Sequence, residues 1–327
     1  MTRIRQALCA TLVFSCGLLA APALLAQAYP SKPVRIIVNF PPGGPTDVVT
    51  RTVGGKMADF LGQTVLVDNQ PSANGVIGTQ MAIRSAPDGY TLLLSSPSHT
   101  SIAAALYGDK IPYDPMTDIA PISLLVNSTQ IIVAHPDLKV KTIAELVALA
   151  RLKPGQLNFG SGGVGTPNQL GIELLKSMAK IDMVHVAYKG TVPMMQDLLT
   201  NRIQLTLTSM ATVVQQVQAG KLVALAVGTP VRSPAAPDVP TVAESGYPGF
   251  DVSTWFGLFA PAKTPAPIIN QLNGVVRMAL ADPQVIKSLS SQGAEPQAST
   301  PDFLVKQIRA DYERWKKVIA DAKIVAE

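Results

Sequence analysis

Short apolar strands alternate with helix-like segments along most of the chain, and this alternation limits the fold more than any other feature of the sequence. The apolar residues between the strands recur with the period of a helix. Strands are predicted at residues 34–38, 65–67, 90–94, 157–159, 184–187, 205–207 and 223–227, and helices near Thr142, Thr166, Thr191 and Thr212. Such alternation is typical of parallel sheets covered by helices on both faces. We therefore predict an α/β protein.

Two segments depart from this alternation. Residues 119–135 and 250–261 are extended and have no helix between their apolar halves. One long outbound strand and one long returning strand would connect two lobes as a hinge. Trp255 and Phe256 lie on the returning strand, where core packing is favoured over stacking on a ligand. The predicted boundaries are residues 29–125 and 256–327 for lobe 1 and residues 126–255 for lobe 2.

The N-terminal segment has the pattern of a secretory signal. A short basic start precedes an apolar run at residues 7–19, and Ala26-Gln27-Ala28 forms a small-x-small cleavage site. The predicted signal peptide is residues 1–28, and we expect a periplasmic protein. Cleavage would remove Cys9 and Cys16, the only two cysteines, so the mature chain would form no disulfide. An uncleaved anchor and a lipoprotein attached through Cys16 are the alternatives.

The charge pattern argues against a nucleic-acid partner. The net charge is +5, and it falls to +3 if Arg3 and Arg5 are removed with the signal. Lysines and arginines are scattered, with no run longer than Lys316-Lys317, whereas binding to a phosphate backbone needs a basic patch or stripe. We expect a soluble, mildly basic monomer.

Glycine turns precede three of the predicted helices. These turns are FPPGGPTD at residues 40–47, GSGGVGTP at residues 160–167 and YKGT at residues 188–191. Thr46 and Thr166 are expected to cap their helices, with Pro167 at the first helical position. Free N–H groups and the helix dipole make such turns anion sites, but each dipole contributes only about 0.3–1 kcal/mol, so several ends must converge. We therefore predict an anion site in a cleft between the lobes.

Each of these turns also has a purely structural interpretation. A glycine turn before a helix can be only a tight connection. Asp47 either stabilises the helix dipole or contacts a ligand ammonium or a water molecule. Lys189 is either a solvated edge residue or an anion contact.

Gly160-x-Gly162-x-x-Gly165 also matches a dinucleotide-binding fingerprint. Asp182 follows at about the 20-residue distance of a ribose contact, but it follows a helix rather than clearly ending the next strand. An exported protein would also rarely meet a nicotinamide. A dinucleotide oxidoreductase therefore remains only an alternative, and we expect no cofactor.

Residues for catalysis are sparse. His99, His135 and His185 are the three histidines, and none stands at a metal-ligand spacing. The sequence contains no Gly-x-Ser-x-Gly elbow and no prominent carboxylate pair. Ser98 and His99 are expected on a strand with side chains pointing apart. We predict no catalytic residue and no metal site, with an exported hydrolase using Ser98 and His99 as the alternative.

Six blocks of the sequence resemble the Bug-type family, the periplasmic solute-binding proteins of tripartite tricarboxylate transport systems. The blocks are YPSKPVRIIVNFPPGGPTDVVTR, APDGYTLLLSS, FGSGGVGTPNQL, VAYKGTVPMMQDLL, QAGKLVALAVGTPVRSPAAPDVPTVAESGYPGF and TWFGLFAPAKTPAPII. They run in order through nearly the whole mature chain. The resemblance implies a two-lobed Venus-flytrap fold of type II with a two-strand hinge and no catalysis. It also implies a small organic acid held in the interlobe cleft.

The resemblance further implies that backbone amides and waters of two loops hold the carboxylate. The residues carried over are Phe40, Pro41, Gly43, Gly44, Thr46, Asp47, Gly160, Ser161, Gly162, Gly163, Gly165 and Thr166, with Lys189 beside them and Ser95, Ser96 and Ser98 as weaker candidates for the ligand's far end. Gln169 stands where members of the family often have histidine. Thr208 lies on a strand that often carries an acid, and its neutral hydroxyl favours a di- or tricarboxylate or an aromatic acid over an amino acid.

The implied mechanism is closure of the two lobes around the ligand. A ligand that contacts both lobes shifts the population toward the closed form, which a membrane permease would then recognise. Delivery to a sensor kinase instead of a permease is the nearest variant.

Overall fold

The computed structural model describes residues 29–71 and 75–325, so the predicted signal peptide lies outside the described residues. From Lys32 onward the chain forms one unit built on two β-sheets. Within the described ranges we find no helix that combines the length and the apolar character needed to cross a membrane.

The first sheet has six strands in the order β11-β4-β10-β3-β1-β2. Their bounds are β1 Val34–Val38, β2 Val65–Asn69, β3 Thr91–Ser95, β4 Ile119–Ser128, β10 Thr254–Pro261 and β11 Ala294–Pro296. β1 pairs in parallel with β2 and β3. β10 runs antiparallel to β3 and β4, and β11 runs antiparallel to β4.

The second sheet has five strands in the order β7-β6-β8-β5-β9. Their bounds are β5 Gln130–Ala134, β6 Asn158–Ser161, β7 Val184–Ala187, β8 Leu205–Ser209 and β9 Val223–Val227. β6 pairs in parallel with β7 and β8, but β5 runs antiparallel to β8 and β9. The prediction of parallel sheets is therefore wrong for β5, β10 and β11. β5 and β10 belong to the segments that pass between the sheets, so they enter without a crossover helix, and β11 is a three-residue strand at the edge of the first sheet.

Helices cover both sheets, as the alternation predicted. Their bounds are α1 Pro45–Leu61, α2 Val76–Ile83, α3 Ser101–Tyr107, α4 Ile143–Leu152, α5 Pro167–Ala179, α6 Thr191–Leu199, α7 Met210–Gln218, α8 Ala266–Leu280, α9 Pro283–Ser290 and α10 Pro301–Asp321. The helix predicted near Thr212 begins two residues earlier, directly where β8 ends. At α4, the helix predicted near Thr142, Glu145 N–H donates to Thr142 Oγ1 at 3.1 Å, so Thr142 caps this helix.

The first extended segment is confirmed, because β4 and β5 are separated only by Thr129 and lie in different sheets. In the second extended segment only Thr254–Pro261 is a strand. Trp255 and Phe256 are 2% and 7% exposed, which confirms core packing. The last helix, α10, packs on α3 and α5, and its Trp315 belongs to the same apolar cluster as the second-sheet residues Leu205 and Leu207.

Candidate functional site

The turn after β1 carries the first predicted anion site. Gly44 is the N-cap of α1 and Pro45 is its first residue, so Thr46 lies inside the helix and the prediction that it caps α1 is wrong. Pro45 lacks an N–H group and suits the first helical position, which places the cap at Gly44. Gly43 has φ +79°, a conformation that favours glycine. Pro41 and Gly43 are exposed, whereas Thr46 is buried.

Asp47 holds this turn in shape. Its buried carboxylate accepts a hydrogen bond from Gly43 N–H at 3.0 Å, and both of its oxygens accept from Arg51 Nε at 3.0 Å. Burial raises the pKa of Asp47, but the hydrogen bonds from Arg51 and Gly43 outweigh burial and hold the pKa below its ordinary value. Because Arg51 already neutralises this carboxylate, its structural role is the better supported of the two interpretations.

The helices that follow the glycine turns lack caps that three other helices have. In the described ranges, the N-cap residues of α1, α5 and α6 accept no side-chain hydrogen bond from the first turn, and the same holds for α2, α3, α7 and α8. In contrast, Thr142, Asp282 and Thr300 cap α4, α9 and α10. The first N–H groups of a helix have no partner inside the helix. The uncapped ends at the glycine turns are therefore suited to bind an anion.

Thr166 shows why α5 has no side-chain cap. It is the N-cap residue, as predicted, but its hydroxyl donates to Gly163 O at 2.8 Å instead of accepting from the helix. Gly163 and Gly165 have φ +142° and +73°, and these values fold the loop back toward Thr166. Gly190 N–H also donates to Gly162 O at 3.1 Å. The second and third glycine turns thus lie together at the edge where the parallel strands β6 and β7 end.

Gly160 and Ser161 face the interior rather than the edge of the sheet. A Cβ on Gly160 would overlap Ile203 and would lie 2.9 Å from Met194 Cγ, so core packing already requires glycine at this position. Ser161 is fully buried, and its hydroxyl lies 2.7 Å from His185 Nε2. These two predicted site residues therefore support the loop from the interior of the protein.

The glycine loop of the second sheet makes one close contact with the helix that follows β3. A Cβ on Gly165 would overlap Leu106 Cδ2, so the glycine loop of the second sheet lies directly against α3. α3 follows the end of β3 in the first sheet, separated from it by one turn. Leu106 is near the C-terminal end of α3 and packs against the apolar cluster of the second sheet, so this contact holds the glycine loop against α3.

Buried polar side chains gather where β1 and β3 end. Five of the buried side-chain atoms without a hydrogen-bond partner in the described part of the chain belong to residues at or just after these strand ends: Asn39 Oδ1, Ser95 Oγ, Ser96 Oγ, His99 Nδ1 and Ser101 Oγ. β1 and β3 are parallel neighbours, and the rings of Phe40 and His99 meet edge-on at 4.7 Å. Buried polar atoms are normally satisfied by protein, water or ligand. These atoms, which we call the lobe 1 polar cluster, therefore offer hydrogen bonds to a bound molecule.

Ser98 and His99 do not lie on a strand, contrary to the prediction. They belong to the 3-10 turn Pro97–His99, because Pro97 ends the strand pairing after β3. Ser98 is partly exposed, whereas His99 is buried. Burial lowers the pKa of His99 to about 4, so its imidazole is neutral at physiological pH.

Lys189 and Thr208 differ in accessibility. Lys189 is exposed at the turn after β7, beside Gly190. Thr208 is 2% exposed on β8, in register with Ile131 of β5. The structure thus places Lys189 near the glycine loop and Thr208 inside the second sheet.

Sequence reasoning missed three residues that the structure brings to this region. Asn39 and Leu106 gave no signal beyond their positions next to a glycine turn and on an apolar helix face. His185 was considered only as a catalytic base, but it contacts Ser161 from the neighbouring strand. No group of three or more histidines, cysteines, aspartates and glutamates suited to a metal ion occurs in the ranges that the structure describes.

A separate cavity of about 590 Å³ lies between the end of α3 and α10. Asp109, Tyr113, Arg309 and Glu313 are among its lining residues. It contains charges of both signs and lies apart from the glycine turns, so we do not assign the predicted anion site to it.

Known proteins resemble this chain over nearly its whole length. The family model described as "Tripartite tricarboxylate transporter family receptor" matches residues 49–324. Protein BugT of Bordetella pertussis is 38% identical over 305 residues, which cover 93% of each chain. The solved structure of the periplasmic binding protein BugD is 34% identical with a TM-score of 0.83, covering 91% of this chain and 100% of BugD.

Two further solved structures carry an organic acid. That of R. palustris Rpa4515 with adipate is 31% identical with a TM-score of 0.85 and covers 91% of this chain and 99% of that protein. That of MatC (Rpa3494) from Rhodopseudomonas palustris with bound malate is 32% identical with a TM-score of 0.81, covering 89% and 100%. The two-sheet α/β architecture is therefore the predicted two-lobed periplasmic-binding-protein fold. The chain belongs to the tripartite tricarboxylate transporter receptor family and is a Bug-type solute-binding protein.

Proposed function

We propose that this receptor binds a small organic carboxylate in the periplasm and delivers it to a tripartite tricarboxylate-type permease. The observation that carries the proposal is the pair of glycine-rich helix ends without a side-chain cap, those of α5 and α6, which lie together where Gly190 N–H donates to Gly162 O, with a third such end at α1 after β1. Several such ends are needed, because each dipole contributes only about 0.3–1 kcal/mol toward holding an anion. The receptor acts as a monomer and needs no cofactor.

The proposed lobes are residues 29–125 with 256–327 and residues 126–255. The two sheets support this division to within a few residues, because β5 to β9 form the second sheet, whereas β4 and β10, which contain the two proposed boundaries, belong to the first. The proposed carboxylate contacts come from both sides of the cleft. They are Phe40, Pro41, Gly43, Gly44 and Thr46 in lobe 1, with Gly162, Gly163, Gly165, Thr166 and Lys189 in lobe 2, while Asp47 supports the lobe 1 turn through Gly43 and Arg51. Gly160 and Ser161 support the lobe 2 loop from the interior.

The ligand's far end is proposed to contact the lobe 1 polar cluster, with Ser98 and Thr208 as further candidates. The cluster consists of hydroxyls, an amide oxygen and a neutral imidazole. Asp47, the acidic residue of the first turn, is already paired with Arg51. Because neither feature offers an anionic partner for an ammonium group, we favour a carboxylic acid without an amine. The adipate and malate held by two similar proteins belong to this class.

Binding is proposed to work by a shift in population between open and closed forms. Each lobe supplies part of the amide cradle, so an acid that contacts both lobes binds the closed form more tightly. The ratio of its affinities for the two forms sets how far the population moves. A permease that recognises the closed form would then receive loaded receptor.

A melting-temperature screen tests this proposal. Residues 29–327 would be purified, unfolded and refolded to remove any carried ligand, and heated with adipate, malate, citrate, aromatic acids, amino acids or NAD. A true ligand at a hundredfold excess over its Kd stabilises the native state by about 2.7 kcal/mol. For a chain of this size, that gain corresponds to a shift of roughly 5 °C.

A shift for one class of carboxylate, without a shift for NAD, is the expected result. A shift for NAD alone would favour the dinucleotide alternative, and turnover of model esters would favour the hydrolase. Carboxylate binding without uptake by any permease would favour the sensor-kinase variant.

A further inference from the structure

His185 lies beneath the second glycine loop with both ring nitrogens in hydrogen-bond contact. Its Nε2 is 2.7 Å from Ser161 Oγ, and its Nδ1 is 3.2 Å from Gln169 Nε2. Its ring stacks on Phe159 at 5.0 Å with an interplanar angle of 26°. The residue thus joins β7, β6 and α5 at the point where the loop leaves the sheet.

These contacts form a chain of hydrogen bonds from Gly165 through Gln169, His185 and Ser161 to Gly163, and the backbone of the loop determines the direction of each bond in it. Gly165 N–H donates to Gln169 Oε1 at 2.8 Å, so the NH₂ group of Gln169 must face His185. An NH₂ group only donates, and His185 Nδ1 must therefore accept and carry no proton. The proton of the neutral ring lies on Nε2 and is donated to Ser161 Oγ. The Ser161 hydroxyl then donates to Gly163 O at 2.9 Å.

The surroundings of His185 keep the ring neutral. Burial, with the positive charge of Lys176 as a second cause, lowers the pKa of His185 to about 4. Lys176 on α5 is paired with Glu173 at 3.0 Å, so this carboxylate is already engaged by a lysine. A protonated ring would place an Nδ1–H donor against the NH₂ donor of Gln169.

We propose that Gln169 and His185 are positioning residues that hold the glycine loop in the conformation able to bind a carboxylate. The hydrogen-bond chain begins at Gly165 and ends at Gly163, so it fixes the loop at both of its positive-φ glycines. Gly165 also contacts Leu106, so the same hydrogen bonds support the packing of the loop against α3. This inference rests on the proposed function, because it assigns a purpose to the loop as an anion cradle.

Gln169→Glu is the most selective test. The new carboxylate can still accept from Gly165 N–H, but its second oxygen would face His185 Nδ1 and would require a proton there. The proton of the neutral His185 ring should therefore move from Nε2 to Nδ1. Nε2 would then no longer donate to Ser161 Oγ and would instead compete with Gly163 O for the Ser161 hydroxyl proton. Gln204→Glu is the matched control, because Gln204 Oε1 accepts from Asn158 N–H at the opposite end of β6.

Two measurements are made on residues 29–327. Nitrogen-15 NMR of the ligand-free protein reports which ring nitrogen of His185 carries the proton. Titration calorimetry then gives the affinity for malate or adipate, whichever raises the melting temperature more. We expect Nε2–H in the wild type, a proton on Nδ1 in Gln169→Glu, and a loss of affinity of about tenfold, the equivalent of 1.4 kcal/mol. Gln204→Glu should keep the wild-type proton pattern and affinity.

Each contrary result has a separate meaning. A wild-type Nδ1–H tautomer, or a tautomer unchanged by Gln169→Glu, would overturn the hydrogen-bond chain. A changed tautomer with unchanged affinity would overturn the positioning role. If the wild type binds no acid, the proposed function fails and the positioning role fails with it. The NMR result still decides in that case whether the hydrogen-bond chain through His185 exists. Gln169→Met, which removes both polar atoms, should also weaken binding and gives a second variant if Gln169→Glu folds poorly.

Discussion

Gly165 of the second-sheet loop lies so close to Leu106 of α3 that a single added Cβ would overlap the leucine side chain. Gly165 also has φ +73°, so an alanine there would be strained by the backbone as well as by the contact. We expect Gly165→Ala to weaken carboxylate binding by about tenfold or more, because the added methyl group displaces the loop from α3 and distorts the cradle. Titration calorimetry against the acid selected by the melting screen measures the effect.

Two further variants separate the contact from the backbone strain. Leu106→Ala combined with Gly165→Ala relieves the overlap and should recover part of the lost affinity. Gly55→Ala in α1 meets open space and should leave binding unchanged, while stabilising the helix by about 0.5–1 kcal/mol. Unchanged binding in Gly165→Ala would show that the position of the loop against Leu106 plays no part in binding.

Asp47→Asn tests the carboxylate that supports the first turn. The variant loses a buried ionic hydrogen-bond network with Gly43 and Arg51, and we expect its free energy of unfolding to fall by about 1–2 kcal/mol at neutral pH. The folded pKa of Asp47 is lowered, so the stabilisation is present above its ordinary value of 3.8 and is lost as pH falls through the folded pKa. Urea unfolding of both proteins at neutral and acidic pH should therefore show a difference that shrinks in acid. A constant difference would contradict this account.

His99 should make stability depend on pH in the mildly acidic range. Burial lowers its folded pKa to about 4 from 6.5, so the unfolded chain takes up a proton at a pH where the folded chain does not. The stabilisation is complete above pH 6.5 and declines as pH falls toward 4. When the pH is lowered from about 7 to about 5, the free energy of unfolding of His99→Gln should fall by about 2 kcal/mol less than that of the wild type, as measured by urea unfolding. Equal losses would mean that His99 is not buried as a neutral ring.

The two tryptophans provide a matched pair in the core. Trp255 Nε1–H donates to Asp311 Oδ2 at 2.7 Å, whereas Trp315 Nε1 is buried and has no partner in the part of the chain that the structure covers. Burial raises the pKa of Asp311 despite the nearby Arg314 and the bond from Trp255. Trp255→Phe should therefore cost about 1–3 kcal/mol more in free energy of unfolding than Trp315→Phe. A larger loss in Trp315→Phe would contradict this assignment of the hydrogen bonds.

Much of the fold could be predicted because its strands are short, apolar and separated by clear helix patterns. β1, β7 and β9 have the predicted bounds. β6 extends through Gly160 and Ser161, beyond its predicted end, because these residues pair with Val186 and Ala187 of β7. Pairing between strands is a long-range interaction that the local apolar pattern does not contain.

The site was predicted less completely, because local rules locate turns but not the contacts between them. The rule for threonine caps failed at Thr46, where Pro45 set the start of the helix, and Thr166 used its hydroxyl within the loop instead. The chain of hydrogen bonds through Ser161, His185 and Gln169 depends on how β6, β7 and α5 meet in space. Nothing in the spacing of these three residues indicates that meeting.

The central claim is that an organic carboxylate binds between the two glycine-rich loops. A crystal structure of residues 29–327 with the acid that gives the largest melting shift tests it most directly. We predict carboxylate oxygens within hydrogen-bond distance, directly or through one water, of backbone N–H groups in both residues 41–47 and residues 162–167. An acid bound elsewhere, such as the cavity between α3 and α10, or one held by a single loop with the lobes apart, would contradict the account.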